Sequence, residues 1–267
     1  MSAGVRWQSG QSWPGTIDPR TVCLTVDVEW AASEVLDDLR RLFDERGLSA
    51  TFFCTHPGVA VGRHERGLHP NFRPAGDTIK QLRARQGDLV LLDDTAVFRH
   101  VLTQTLGFAP EAKGVRSHSL HYDSMLLPLY SPLGLEYDST YLMPLVSGLR
   151  PFWKEYDVLE LPIYFNDHFE LKTAATGFDY RALVIDRPGL KVINMHPNMV
   201  FLNAPSDAHY LATKHFYHDP EQLFAARHGG LGVRTMVVEL LDALATRRHP
   251  TATLGEVNAV WRALRES

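Results

Sequence analysis

TVCLTVDVEW, residues 21–30, decides the fold class. Its β-branched residues favour an extended chain. Its character also alternates, with Val22, Leu24, Val26 and Val28 on one face and Thr25, Asp27 and Glu29 on the other. That pattern is a strand with an apolar face and a polar inner edge. Directly after it, Ser33 can cap a helix in which Val35, Leu36, Leu39, Leu42 and Phe43 recur at helical spacing, with Gly47 at its stop. SATFFCTH, residues 49–56, reads as a second strand and completes a βαβ unit.

Working outward, the alternation of strand and helix continues. Residues 94–105 read as a helix, 112–116 as a short strand, and 123–133 as a weaker helix interrupted by Pro128 and Pro132. Residues 135–141, 158–164 and 190–195 read as later strands, and 233–248 and 256–265 as closing helices. The fold class is α/β with a largely parallel sheet, open or closed. No repeat, low-complexity tract or linker divides the chain, so residues 21–267 read as one domain behind an N-terminal extension, residues 1–20.

Composition narrows the function. Hydrophobic residues at 45% and charged residues at 22% describe an ordinary globular protein. A formal net charge of −4 and the lack of any Lys/Arg block argue against a nucleic-acid partner. No apolar run approaches a membrane span or a signal sequence, which makes the cytoplasm the expected location. The two cysteines, Cys23 and Cys54, lack metal-ligand spacing and read as buried thiols. No GxSxG elbow, Walker loop or GxGxxG fingerprint is present, which removes support for serine esterase, nucleotide hydrolase and dinucleotide readings.

Four polar clusters stand at strand ends or in loops. Asp27 and Glu29 are two apart, so one carboxylate can hold a metal while the other takes a proton from water; a salt-bridging pair has the same spacing. His69, between Leu68 and Pro70, sits in a segment read as a non-regular loop that can present an imidazole rigidly, whereas His64 reads as solvated. Arg116 and His118 are again two apart, as a base-orienting cation and a further ligand or as an ion pair and a hydrogen-bonded ring. Asn194 and His196 end another strand before Pro197, where a histidine suits a general acid. Trp30, Trp153, Tyr164 and Phe165 can stack on sugar rings or fill the core. Residues 201–230, rich in Tyr, Phe and His, follow the His196 strand and are expected to cover the site, with helix in their second half.

In this order the clusters resemble the polysaccharide deacetylase, or NodB-homology, family. That resemblance implies a distorted, partly open (β/α) barrel. LTVDVEW resembles the first motif, giving Asp27 as catalytic base and Glu29 as metal ligand. HERGLHPNF resembles the second, giving His69 as ligand, and Arg116 in GVRSH matches the arginine that orients the base. LEYDSTY resembles a structural strand of the family. LPIYFNDH stands where the fourth motif would and INMHP resembles the fifth, giving His196 as general acid. Asn71, Trp30, Asp167 and Asn194 are the implied substrate contacts. The HPNF and RSH variants look most like the branch found in bacterial O-antigen and surface-polysaccharide gene clusters.

The resemblance implies a metal-dependent hydrolase that removes an N-acetyl or similar N-acyl group from a nucleotide- or lipid-linked sugar or polysaccharide precursor. A divalent ion, zinc first and cobalt as an alternative, would be its cofactor, with Asp27 and His196 on opposite sides of the scissile amide. The second motif departs at Arg73, which stands where the family has another histidine and cannot ligate a cation. His118 or Asn71 then fills the gap. If neither does, the chain is an inactive carbohydrate-binding barrel; a deformylase or cyclic-amide hydrolase is the other reading on the same scaffold.

Overall fold

A computed structural model describes residue 13 and residues 17–86 and 93–266. β1 (Val22–Asp27) is buried along its length, and its two faces serve different cores. Val22, Leu24 and Val26 join a large apolar layer with Val35, Leu39 and Phe43 of α1 (Ser33–Asp44). Each such buried side chain contributes roughly 1.5–3 kcal/mol of transfer free energy. Cys23, on the other face, belongs to a smaller cluster with Phe53, Tyr137, Leu159, Ile163 and Val192.

Eight further strands complete one sheet: β2 (Ala50–Cys54), β3 (Glu65–Leu68), β4 (Gly114–Val115), β5 (Tyr137–Asp138), β6 (Phe152–Trp153), β7 (Leu159–Glu160), β8 (Ile163–Asn166) and β9 (Lys191–Met195). Their order is β6-β7-β5-β4-β3-β2-β1-β9-β8, and every neighbour is parallel except β6 against β7. β7 and β8 lie towards opposite ends of that order, yet only Leu161 and Pro162 separate them in the chain. The sheet must therefore curl until its two ends meet, and a parallel bridge between Leu142 and Ile163 stitches them. The result is a distorted, partly open β/α barrel.

Around it lie α2 (Asp77–Gln86), α3 (Asp94–Leu106), α4 (Leu127–Tyr130), α5 (Asp167–Thr173), α6 (Pro197–Phe201), α7 (Asp207–Ala212), α8 (Pro220–Ala225), α9 (Val233–Thr246) and α10 (Leu254–Glu266). α10 closes one end of the interior: Leu254, Val257 and Trp261 join the inner cluster, and Thr51 Oγ1 accepts the Leu254 N–H at 3.0 Å. Most of residues 1–20 lie outside the described residues, but Trp13 packs edge-on against Trp261 at 6.1 Å.

Several local expectations are corrected. Ser33 is the first residue of α1, with Ala32 in the cap position and no side-chain cap hydrogen bond. Gly47 does end that helix region in a left-handed conformation, φ 67°. Residues 65–68, read as part of a loop, are β3, paired to β2 despite their polar outer residues. Residues 158–164 divide into β7 and β8, since Pro162 has no N–H for a ladder. His64 is buried: its Nδ1 accepts the Ala50 N–H at 3.2 Å and its Nε2 faces Asp44 at 3.3 Å. Both cysteines are buried and free.

Candidate functional site

The mouth of the barrel opposite α10 is built by the period of the strand. Side chains two apart face the same way, so Thr25 leads to Asp27, Gly67 to His69, Gly114 to Arg116 and Asn194 to His196. The two glycines leave room for the rings that fill the interior. A Cβ on Gly67 would come within 2.7 Å of the Phe53 ring, and one on Gly114 within 1.9 Å of Tyr137.

Arg116 is completely buried at the centre, its guanidinium 4.3 Å from the Phe53 ring centroid. Its donors are aimed by a set of acceptors: Nε to the Ser139 carbonyl at 2.8 Å, Nη2 to Ser139 Oγ at 2.7 Å, and Nη1 to Thr25 Oγ1 and Asn194 Oδ1, both at 2.7 Å. Nη1 also reaches Asp27 Oδ1 at 3.1 Å, while Asn194 Nδ2 donates to Asp27 Oδ2 at 2.8 Å. Burial by itself would raise the Asp27 pKa, but the charge of Arg116, the histidines and the Asn194 hydrogen bond outweigh it and hold the carboxyl below its usual value.

His196 is the second polar centre. Its ring Nδ1–H and its backbone N–H both meet Asp167, at 2.5 Å to Oδ1 and 2.7 Å to Oδ2. This leaves Nε2 turned towards Asp27 Oδ2 at 3.7 Å. Burial disfavours the imidazolium, but the Asp167 carboxylate more than compensates and pushes the pKa up to about 9.

Glu29 arrives by a route that strand spacing does not describe. β1 ends at Asp27, and Glu29 and Trp30 adopt left-handed backbone, φ 52° and 55°. Tyr217 Oη donates to the Glu29 carbonyl at 2.8 Å and pins that turn. Glu29 Oε1 then lies 3.0 Å from His69 Nε2 and 2.8 Å from His118 Nδ1. His118 likewise leaves the strand, lying in a single 3-10 turn beyond β4. Burial would raise the Glu29 pKa, yet hydrogen bonds from His118 and His69 keep it well below the usual carboxylate range.

These three residues suit a divalent cation. Their donor atoms all lie within 4.8 Å of one another. The Arg116 carbonyl accepts from His69 Nδ1 at 2.7 Å, which leaves Nε2, the nitrogen that meets Glu29, as the one to give its lone pair to a cation. A backbone acceptor behind a ligand imidazole is the usual way a metal site fixes its tautomer. Asp27, Glu29 and His196 form a second such group.

A cleft of about 480 Å³ opens over Asp27, Glu29, His118 and His196, and a second hollow shares Glu29, His118 and Lys214 with it. The expected substrate contacts separate. Trp30 stands edge-on to His118 at 5.2 Å and lines the second hollow. Asn71 lies aside, its Oδ1 taking the Arg73 backbone N–H at 3.1 Å. Asn194 and Asp167 are 0% and 1% exposed and hold Asp27 and His196 by hydrogen bonds. Tyr164 and Phe165 are buried in the core, and Trp153 is covered by Arg262 and Arg265. Residues 201–230 do pack on the site, with Tyr210 and Lys214 lining the cleft, but helix occurs in both halves, as α7 and α8. Sequence reasoning gave no site role to Ser139 or Thr25, although Thr25 shares the polar face of Asp27, and took Tyr217 only as part of the covering segment.

A family model described as WbmS-like polysaccharide deacetylase matches residues 24–214. The chain is similar to a solved structure from Bordetella bronchiseptica, a proposed polysaccharide deacetylase involved in O-antigen biosynthesis. The two are 28% identical, with 83% of this chain and 90% of that one covered and a TM-score of 0.68. A proposed polysaccharide deacetylase from Mycobacterium smegmatis shares the fold at 17% identity, over 97% and 95% of the two chains, with a TM-score of 0.54. No curated protein is similar enough to match.

Proposed function

The chain belongs to the polysaccharide deacetylase family, and from that premise we propose that it hydrolyses the N-acetyl group of a sugar used in bacterial surface-polysaccharide synthesis. The observation that carries the reading is the pairing of two oppositely tuned groups at one mouth. Asp27, with its pKa held down, is the ionised base that accepts a proton from water; His196, protonated near neutral pH, gives one to the departing amine. Arg116 and Asn194 aim the base, and Asp167 aims the acid.

A divalent ion held by Glu29, His69 and His118, with zinc suited to a set of two imidazoles and a carboxylate, would supply Lewis-acid activation of the amide carbonyl and of water. Arg73 does not remove this capacity, because His118 supplies the third donor. The Asp27–His196 distance alters one expectation. Groups flanking an amide, each within hydrogen-bond reach of about 3 Å, stand about 6 Å apart; these stand 3.7 Å apart. The scissile amide therefore sits over the pair, on the cleft side, rather than between them. Among the described residues no helix is long and apolar enough to cross a membrane.

The test is acetate release from N-acetylated sugars by the natural protein, Asp27→Asn and His196→Ala. Each variant should keep fold and metal and lose on the order of a hundredfold or more in rate. Near-normal turnover in either would remove that residue from the mechanism.

A further inference from the structure

The cleft wall carries charges that the deacetylation chemistry does not use. Arg73, from the loop after β3, Lys172, from the last turn of α5, and Lys214, beyond α7, all line the cleft that holds Asp27, Glu29, His118 and His196. Three separate elements thus bring cations to one concavity whose floor is acidic. The floor does not neutralise them. Asp27 is engaged by Arg116, Glu29 by His69 and His118, and Asp167 by His196. Among the described residues, Arg73 and Lys172 have no ion-pair partner within 4.0 Å. Many other arginines of this chain, including Arg40, Arg46, Arg63, Arg66 and Arg234, are paired. Lys214 is already held, its Nζ donating to Tyr210 Oη at 2.7 Å and lying over the Tyr210 and Tyr217 rings.

We propose that Arg73 and Lys172 form an anion-recognition wall that binds a carboxylate or phosphate carried by the substrate next to its acylated sugar. The deacetylase reading enters only in placing the sugar over Asp27 and His196. Arg73 stands where a further ligand histidine would stand in the resemblance, and with His118 supplying the donor that position is free to read the substrate. A planar guanidinium suits a two-oxygen anion, and the Lys172 ammonium adds a point charge. The anion can belong to the sugar, as a uronate, or to its carrier, as a phosphate; both offer the same chemistry to these cations. A neutral sugar would leave both cations to solvent.

Calorimetric binding of glucose, glucuronate and uridine diphosphate to the natural protein and to Arg73→Gln, Lys172→Gln and the double variant tests this. Circular dichroism on the same samples checks that these exposed positions leave the fold intact. At least one anion should bind about tenfold more tightly than glucose at low salt, lose that advantage in the double variant, and weaken as ionic strength rises. Tight glucuronate binding points to a uronate, and tight uridine diphosphate binding to a phosphate-linked carrier. Anions that bind no better than glucose, or that bind the double variant equally well, overturn the proposal. Acetate release assayed in the same preparations separates the two readings. Anion preference without any deacetylation overturns the enzyme and leaves the wall, and deacetylation without anion preference does the reverse.

Discussion

Replacing Asp167 by Asn tests how the fold makes an acid out of a buried histidine. In the natural protein His196 titrates at about 9, although burial alone would pull it below its ordinary 6.5. The introduced amide can still accept the His196 backbone N–H, but it offers Nδ1 no carboxylate, so it removes the charge that favours the imidazolium. The pKa should return to 6.5 or lower. At pH 8 the protonated fraction then falls from about nine-tenths to about 3%, a loss of roughly thirtyfold in kcat/KM; at pH 6 most of the acid form survives in both proteins. The alkaline limb of the pH–rate profile for acetate release should therefore move towards acid by about 2.5 pH units. Asp27, held below the usual carboxylate value, stays ionised throughout this range and does not obscure the shift. An alkaline limb that stays in place in Asp167→Asn would refute the argument. A loss of equal size at pH 6 and pH 8 would mean that Asp167 orients the ring without tuning it.

His69→Ala removes one of three convergent donors and should abolish stoichiometric zinc, read by mass spectrometry of protein freed of loose metal; undiminished zinc would exclude His69 from the site. Tyr217→Phe frees the Glu29 turn from its 2.8 Å hydrogen bond and should lower kcat by about three- to tenfold, from a hydrogen bond worth about 1 kcal/mol, with the melting temperature little changed. Lys154→Met strands two buried carboxylates, Asp138 and Glu160, that the ammonium meets at 2.7 and 2.6 Å, and should destabilise the fold by about 3–5 kcal/mol in urea unfolding at pH 8. Burial and Asp138 push the Glu160 pKa up to about 8, so a proton can stand in for the lost cation and the deficit should shrink at pH 5; a deficit independent of pH would contradict this.

The sequence was most readable where the strand period does the work. Asp27, Arg116 and His196 each stand two residues beyond an inner-face position, so alternation alone places them at the mouth. Glu29 and His118 share the same spacing, but the backbone delivers them otherwise: Glu29 through a left-handed turn fixed by Tyr217 on its carbonyl, and His118 in a 3-10 turn beyond β4. β3 was missed because Glu65 and Arg66 are polar. Their side chains are nevertheless engaged: Glu65 bonds Thr51 and Tyr137, and Arg66 bonds Glu111. Such partners lie far along the chain and leave no local pattern. The closure of the barrel was equally hidden. Pro162 could be seen to break residues 158–164, but not that the two halves would join opposite flanks of one sheet.

The charges of the site connect its chemistry to what it can recognise. Asp27 with Arg116 and Asp167 with His196 are two pairs, each of which cancels when the acid is protonated. Glu29 is the remaining carboxylate, and with two neutral imidazoles it offers a divalent cation only one negative charge. A loaded site would therefore carry an excess positive charge at the floor, beneath a wall that already bears Arg73, Lys172 and Lys214. The chain as a whole is acidic, at −4, so these three cations stand against the net charge of the protein. Cations gathered in a concavity with apolar walls attract anions from solution and hold them where screening is weakest. In an acidic protein, such a gathering of cations is what the proposed anionic substrate would account for, whereas the hydrolysis of a neutral acetamide would require only the floor.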